Sequence, residues 1–453
     1  MKRRVSYFFL TLSCMVGAQA FSQASIEGIG VSGAGQNLVT MTLAECVNIA
    51  FYNNQDVLQA QLQVERGKLA LSQSKINLLP TLNAGYTTGI NLGRSIDPFT
   101  NAYVNQQYNY ASPILSGGVT LFKGFALFNA IRRNSFVYEA DKLEVQQAKE
   151  LLALNIIRAY LNVLSKKELA ALANTQKEAA GKQLDRIATL YEQEAIAPGE
   201  YYDLKGLYAG DELSVINALK ALEDAKLVLA QLMNIPYAKN MQLPPLDAET
   251  MTLDDTVSSE AIYEAALENL SMVKVAGLRR KASEMDIRLS RSGFFPSLAL
   301  YAGANSNYSG AADIKYNEQI LNNRNSSFSV GLSVPILNGF RTRNAVKLAK
   351  IEQDNALALE KTTQIQLRQI VEEAFYNMQF SKEKYAVSKR QANAFRESFQ
   401  RAQSRYSFGA GTIVDFIVSK SAYDKSAINL VNARYDYVFS MRILDFLQGK
   451  MKF

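Results

Sequence analysis

Ser327-Phe328-Ser329-Val330-Gly331-Leu332-Ser333-Val334-Pro335-Ile336 alternates without a break. Phe328, Val330, Leu332, Val334 and Ile336 fall on one parity, and serine, glycine and proline fall on the other. A period of two marks a strand with one apolar face and one small, polar face. Leu337-Asn338-Gly339-Phe340 follows, and then neither proline nor glycine occurs before Gly409. A short strand therefore runs into a helical stretch of about 70 residues, roughly 105 Å long at about 1.5 Å per residue. Ordinary helices have three or four turns. A stretch this long reads as part of a coiled coil or helical array.

The same passage occurs earlier in the chain. Val119-Thr120-Leu121-Phe122-Lys123-Gly124-Phe125 matches Val334 to Phe340, and Leu79-Pro80-Thr81-Leu82 matches Phe295-Pro296-Ser297-Leu298. Tyr191 falls on Tyr406, Glu200 on Asp415, and Asn217-Ala218 on Asn432-Ala433. The order is kept and the offset stays near 215, so the chain holds two copies of one structural unit. The repeats span 41–235 and 258–448, with a proline-bearing linker at 236–257 (Pro236, Pro244, Pro245) and a tail at 449–453. Each repeat is predicted as leading helix, strand, loop, strand, very long helix, tip and return helix. The leading helices are expected at 42–76 and 258–291, and the strands at 81–92, 113–122, 297–304 and 327–336. The long helices are expected at 125–197 and 340–408, and the return helices at 198–232 and 413–447. Leading and return helices are half-length, so two stacked end to end match one long helix.

Composition removes several classes of function. The chain has 453 residues, is 48% hydrophobic and carries a formal charge of +7. No block of like charge gives the footprint of a nucleic-acid binder. There is no histidine, which excludes histidine-based acid–base, triad and zinc chemistry. No P-loop occurs. The expectation is a non-enzyme without cofactor or metal. Lys2-Arg3-Arg4, the apolar stretch Val5 to Val16 and Ala18-Gln19-Ala20 read as an export signal at 1–20, followed by a leader at 21–40. Cys14 leaves open a second reading as an acylation site. If Cys14 departs with the signal, Cys46 has no intrachain disulfide partner. Gly28-Ile29-Gly30-Val31-Ser32-Gly33 has dinucleotide-loop spacing, but no strand precedes it, and it reads as flexible leader. No later apolar run reaches the length of a membrane-spanning helix.

Four strands decide the architecture. Strands facing lipid must pair all their backbone groups, so they close into a barrel. Single-chain outer-membrane barrels begin at about eight strands. Four cannot close, and a membrane reading therefore requires an oligomer. Two chains give eight strands, a size that fills with side chains. Three give twelve, with room for a lumen. Ser327, Ser329, Gly331 and Ser333 would then face water while Val, Leu and Ile meet lipid. Tyr103, Tyr108, Tyr110 and Tyr308 are expected in an aromatic girdle. The alternative is a soluble α+β protein with a four-stranded sheet. It leaves edge strands bare and does not explain the long helices.

At this point the residues resemble the TolC-like outer-membrane factor family across nearly all of 41–448. The most specific stretch is Arg405-Tyr406-Ser407-Phe408-Gly409-Ala410-Gly411-Thr412-Ile413-Val414-Asp415-Phe416-Ile417, followed by Asn432-Ala433-Arg434-Tyr435-Asp436-Tyr437. Ala50-Phe51-Tyr52-Asn53-Asn54 and Leu79-Pro80 also resemble the family. The resemblance implies a homotrimer with a twelve-stranded outer-membrane barrel continued by an α-helical tunnel across the periplasm. It also implies a periplasmic adaptor and an inner-membrane pump of the resistance–nodulation or ABC type. The expected function is a passive exit duct for tripartite efflux or type I secretion, and the sequence does not choose between the two. The alternative is a trimeric structural or adhesive coiled-coil protein anchored by its barrel.

The helical tips carry the candidate site. Gly409 and Gly411 permit a tight turn. Thr412 is placed to cap the next helix, with Asp415 three residues on as in a capping box. Pro198 suits a first helical position, and Glu200 takes the place of Asp415. Both acids fit the helix start on electrostatic grounds alone. The resemblance implies instead that Asp415, with Glu200, forms a charged constriction at the periplasmic mouth, where rings of like charge favour cations. It also implies a Tyr406–Glu200 hydrogen bond and adaptor contacts at Gly409, Thr412, Tyr191 and Ala197. Two positions depart from the family pattern. Val418 stands where a second acid is found, and Gly411 stands where an arginine helps hold the mouth shut. Glu194 occupies the Gly409 position in the first repeat.

Overall fold

A computed structural model describes residues 39–97, 99–245 and 258–451. The expected signal segment, most of the leader with its glycine motif, and 246–257 of the linker lie outside the described residues. The elements run β1 (Val39–Thr40), α1 (Leu43–Asn53), α2 (Gln55–Ile76), β2 (Thr81–Asn91), β3 (Arg94–Ile96), β4 (Tyr103–Asn105), β5 (Tyr108–Lys123), α3 (Ala126–Glu192), α4 (Pro198–Leu232) and β6 (Met241–Gln242). They continue as α5 (Ser259–Asn269), α6 (Ser271–Arg291), β7 (Ser297–Asn305), β8 (Tyr308–Ser309), α7 (Tyr316–Asn322), β9 (Asn325–Ser333), α8 (Arg341–Ser407) and α9 (Ile413–Leu447). Helices α3 and α8 have 67 residues each, and α4 and α9 have 35 each. No described helix is long and apolar enough to cross a membrane.

Both long helices start from the same joint. Gly124 and Phe125 precede α3 at φ 56° and 63°, and Gly339 and Phe340 precede α8 at φ 61° and 61°. A bulky residue in the left-handed region is uncommon, so its recurrence at matched positions marks a shared strand-to-helix turn. At Gly124 a side chain is also excluded by space, since a Cβ there would lie 2.6 Å from the Ser292 carbonyl oxygen.

The main sheet is antiparallel, in the order β2-β5-β7-β9, with β8 pairing to the N-terminal end of β5. Register adds the four strands into two continuous faces. Leu82 pairs with Gly117, Gly117 with Ala302, and Ala302 with Phe328. Thr81, Gly118, Tyr301 and Ser329 form the adjacent row on the opposite face. A bulge between Thr120 and Phe122 places Phe122 opposite Leu298, which keeps its ring on the apolar side. That face is left uncovered, with Leu82 at 72% and Phe328 at 82% exposure.

Strands β2 and β9 have one sheet neighbour each along this path. The helices follow the same order, with α2 on α3, α3 on α6, and α6 on α8. Each main strand is joined in sequence to one of these four helices, so sheet and helix layer end on the same two sides. Among the described residues, three buried clusters lie along the helices. One packs α1 and the end of α4 on α3, through Cys46, Ile156, Tyr160, Leu229 and Met233. The second, its repeat counterpart, packs α5 and the end of α9 on α8, through Ile262, Leu367, Val371, Met441 and Leu444. The third sits at the tips.

Several expectations need correction. The leading helices are each broken in two. Asn54 turns extended and caps α2, its Oδ1 accepting from the Asp56 and Val57 amides at 2.8 and 3.2 Å. Leu270 interrupts the second without a side-chain cap. The fourth strand ends at Ser333, ahead of Pro335, which has no N–H to give a ladder. Strand β5 begins at Tyr108 and carries Pro113 opposite Tyr86. The expected loops hold the β3–β4 hairpin and helix α7. Tyr108 is not a girdle residue. It is 3% exposed, and its hydroxyl accepts from Asn91 at 2.8 Å and donates to the Ile96 carbonyl at 3.2 Å. The end of the leader and part of the linker join as a parallel pair, Val39 with Met241 and Thr40 with Gln242.

Candidate functional site at the helical tips

The two tips fold the same way despite different residues. At the end of α8, Gly409 N–H donates to the Tyr406 carbonyl at 3.1 Å and Ala410 N–H to the Arg405 carbonyl at 2.8 Å. At the end of α3, Glu194 N–H donates to the Tyr191 carbonyl and Ala195 N–H to the Leu190 carbonyl, both at 2.9 Å. This double bond pattern closes a helix with one left-handed residue. Gly409 takes φ 70° with open space around it, and Glu194 takes φ 56°. Glutamate accepts there a conformation that glycine adopts freely.

The return helices start differently. Thr412 caps α9, its Oγ1 accepting from the Asp415 amide at 3.1 Å. This is the threonine half of a capping box. Ala197 precedes α4 in extended conformation without a side-chain cap, and Pro198 opens the helix. Asp415 is exposed in the first turn of α9, between the buried Ile413 and Phe416. It lines a groove of about 490 Å³ with Glu397, Arg401, Arg405 and Ser419. Glu200 is half-buried in the first turn of α4.

At the tips, two polar contacts among the described residues join the hairpins. The Tyr406 hydroxyl donates to Glu200 Oε2 at 3.3 Å. Burial, then the Glu200 charge, pushes the Tyr406 phenol up to about 12. The Arg186 guanidinium of α3 donates to the Ser407 carbonyl at the end of α8. A cation there satisfies an open carbonyl and complements the negative helix end. Around them Ile187, Leu204, Ile413 and Phe416 form an apolar plug, with the Tyr406 and Phe416 rings stacked at 5.4 Å.

The candidate residues thus separate into groups. Tyr406 and Glu200 meet across the hairpins, while Asp415, Gly409 and Thr412 line the surface of the second tip. Tyr191, the repeat partner of Tyr406, stays within its own hairpin and stacks on Tyr201 at 4.7 Å. At Gly411 an added Cβ would lie 3.1 Å from the Tyr406 amide nitrogen and 3.2 Å from Arg405 Cβ. The turn as folded leaves little space for a side chain there. Arg186 was not legible from sequence, because a lone arginine on a long helix carries no motif.

An open-edged sheet with an uncovered apolar face, carried on helices that end in paired tips, is the architecture of a membrane duct protein. The sequence profile of the outer membrane efflux protein family matches residues 47–234 and 262–450. The chain belongs to that family. The outer membrane protein TolC of Vibrio cholerae is 26% identical over 419 residues, covering 88% of both chains. The alkaline protease secretion protein AprF of Pseudomonas aeruginosa is 23% identical over 436 residues, covering 91% of this chain and 85% of its own. Among solved structures, CusC superposes with a TM-score of 0.79 at 16% identity, over 92% of this chain and 94% of its own. The protein is an outer-membrane exit duct of the efflux and type I secretion class, and channels of this class work with efflux or secretion systems.

Proposed function

We propose that three copies close one wall, making a twelve-stranded barrel continued by a helical tunnel whose mouth lies at the tips. The observation that carries this is the coincidence of free edges. β2 and β9 end the sheet on the sides where α2 and α8 end the helix layer. Both outer helices bear exposed apolar stripes, Leu58, Leu62, Leu69 and Ile76 on α2 and Leu348, Ile351, Leu359 and Ile365 on α8. Uncovered stripes of that size mark interaction surfaces. A head-to-tail contact of unlike edges closes into a ring when its rotation permits. Twelve strands leave a lumen where eight do not.

In this reading the residues between the two repeats link them at mid-height, and the mouth is held by contacts between hairpins. Tyr406–Glu200 and Arg186–Ser407 restrain each second hairpin, with Arg186 supplying the guanidinium that the family pattern places at Gly411. Asp415 and Glu200 supply the constriction carboxylates. A periplasmic adaptor engages Gly409, Thr412, Tyr191 and Ala197, and an inner-membrane pump of the resistance–nodulation or ABC type drives cargo to the opened mouth. Native mass spectrometry of the detergent-extracted protein tests the stoichiometry, and planar-bilayer recording tests the duct. Three copies with a conducting lumen are expected. A non-conducting monomer would overturn the reading.

A further inference from the structure

Away from the tip plug, the two hairpins meet around a buried charge. Lys420 of α9 is 2% exposed. Its Nζ lies 2.9 Å from Asp211 Oδ2 on α4 of the other hairpin and 2.6 Å from Asp424 Oδ2 one turn along its own helix. Both carboxylates are themselves mostly covered. From α3 the amide of Gln176 adjoins Asp424. From α8 the Phe399 ring stacks on Tyr423 at 5.6 Å, beside the cluster. The charged groups facing Asp424 are thus Lys420 and Asp211. Apolar side chains would hold two helices together as well or better, because burying ions costs solvation. What a buried charged set adds is one preferred arrangement, and separating the hairpins parts Asp211 from Lys420 while Asp424 stays beside it on α9.

We propose that Lys420, shared between Asp424 of its own helix and Asp211 of the other hairpin, is a latch that fixes α9 against α4 and tightens as the pH falls. The proposal rests on the duct reading, in which parting of the hairpins widens the mouth. One lysine cannot neutralise two carboxylates, so the closed cluster keeps an excess negative charge in covered surroundings. Burial pushes the Asp424 carboxyl up from its ordinary range. Lys420 opposes that shift, and the Asp211 charge adds to it. With the hairpins parted, water restores the ordinary value. The closed form therefore binds the proton more tightly. Lowering the pH through the raised value favours closure, and above that value the bias is absent.

The test is conductance of the full-length protein in planar bilayers between about pH 5 and about pH 8, where one linked proton changes the closed-to-open ratio by at most about tenfold per pH unit. Wild type is expected to conduct less at the acid end. Asp424→Asn imitates the protonated carboxyl and is expected to flatten the profile at the low level. Lys420→Gln leaves two facing carboxylates and is expected to conduct several-fold more at the alkaline end. A wild-type pH slope in Asp424→Asn, or wild-type conductance in Lys420→Gln, would overturn the latch. Amide hydrogen exchange in turns 193–197 and 408–412, compared at one pH, needs no pore. It is expected to be faster in Lys420→Gln, and unchanged exchange there also overturns the latch. If Lys420→Gln does not assemble, Asp211→Asn, which removes the cross-hairpin partner alone, is read in its place with the same two outcomes. Silence of the wild-type channel would sink the duct reading, while exchange would still decide the latch.

Discussion

Arg279 on α6 joins the two repeats by reaching Asp141 on α3, Nη2 to Oδ1 at 2.7 Å. Asp141 is fully buried, while the guanidinium is about one-third exposed and also pairs with Glu144 at 2.8 Å. Burial pushes the Asp141 carboxyl up, and Arg279 pulls it back. A group raised in the folded state favours folding when protonated and loses that contribution as the pH rises through its folded value. Arg279→Met strands the carboxylate and is expected to cost about 3 kcal/mol at neutral pH, the low end for a broken buried pair because the cation is partly solvated. The loss should shrink from neutral to acid pH as Asp141 takes up a proton. Thermal melts of wild type and variant at both pH values check this, and a pH-independent loss would contradict it.

The same carboxylate explains a glycine in mid-helix. A Cβ at Gly67 of α2 would lie 2.4 Å from Asp141 Oδ2. On helix propensity alone, Gly67→Ala should stabilise by about 1 kcal/mol. Here it is expected to destabilise by about 1–3 kcal/mol, as overpacking does. In an Asp141→Ala background, which loses the pair to Arg279 on its own account, the further change Gly67→Ala should cost little, because the clashing atom is gone. Melting temperatures of the two single variants and the double variant decide it.

The two tips make a matched pair for a backbone test. Glu194 holds a left-handed conformation at the position where the other repeat has Gly409. Glu194→Gly is expected to stabilise its turn by about 0.5–1 kcal/mol, and Gly409→Ala to destabilise the other by about 1 kcal/mol. Open space at Gly409 makes the cost conformational and not steric. Amide exchange of Ala195 and Ala410, the last bonded amides of the turns, reports each change. Opposite signs are expected.

How much of this was legible in the sequence depends on where the determining contact lies. The sheet was legible because strand parity is local, so Phe328, Val330 and Leu332 announce their face without knowledge of a partner. The break at Asn54 was within reach, since Asn53-Asn54 before Gln55-Asp56 is a capping signal. A continuing apolar pattern concealed it. Leu270 gave no such signal. Tyr406 and Glu200 could be paired only through the family resemblance of the tip stretch that carries Tyr406, not from spacing alone. Arg186 and Lys420 could not. The i,i+4 spacing of Lys420 and Asp424 looks like an exposed helix pair, and only the approach of α4 turns it into a buried cluster. Tyr108 was misread for a related reason, because Ser95 and Ile96, which bond its hydroxyl, lie on the β3 strand of the intervening loop.

Asp415 offers the most direct reading of the mouth. It is exposed, on the first turn of a helix, and shares its groove with Arg401 and Arg405. Three copies would place three such carboxylates around one aperture, where a ring of acids favours cations. Asp415→Asn keeps the shape and the Thr412 cap, whose bond uses the Asp415 backbone amide and not its carboxylate. Stability is therefore expected to fall by no more than about 0.3–1 kcal/mol, the worth of a negative charge at a helix start. Reversal potentials under a salt gradient should shift towards anion permeation, and the arginines should strengthen that shift once their acidic neighbour is neutral. Tyr406→Phe makes the converse change. It leaves the carboxylates in place and removes the bond to Glu200, so conductance should rise without loss of cation preference. If Asp415→Asn changed conductance alone and left selectivity at its wild-type value, Asp415 would be a helix-start residue and the constriction would lie elsewhere.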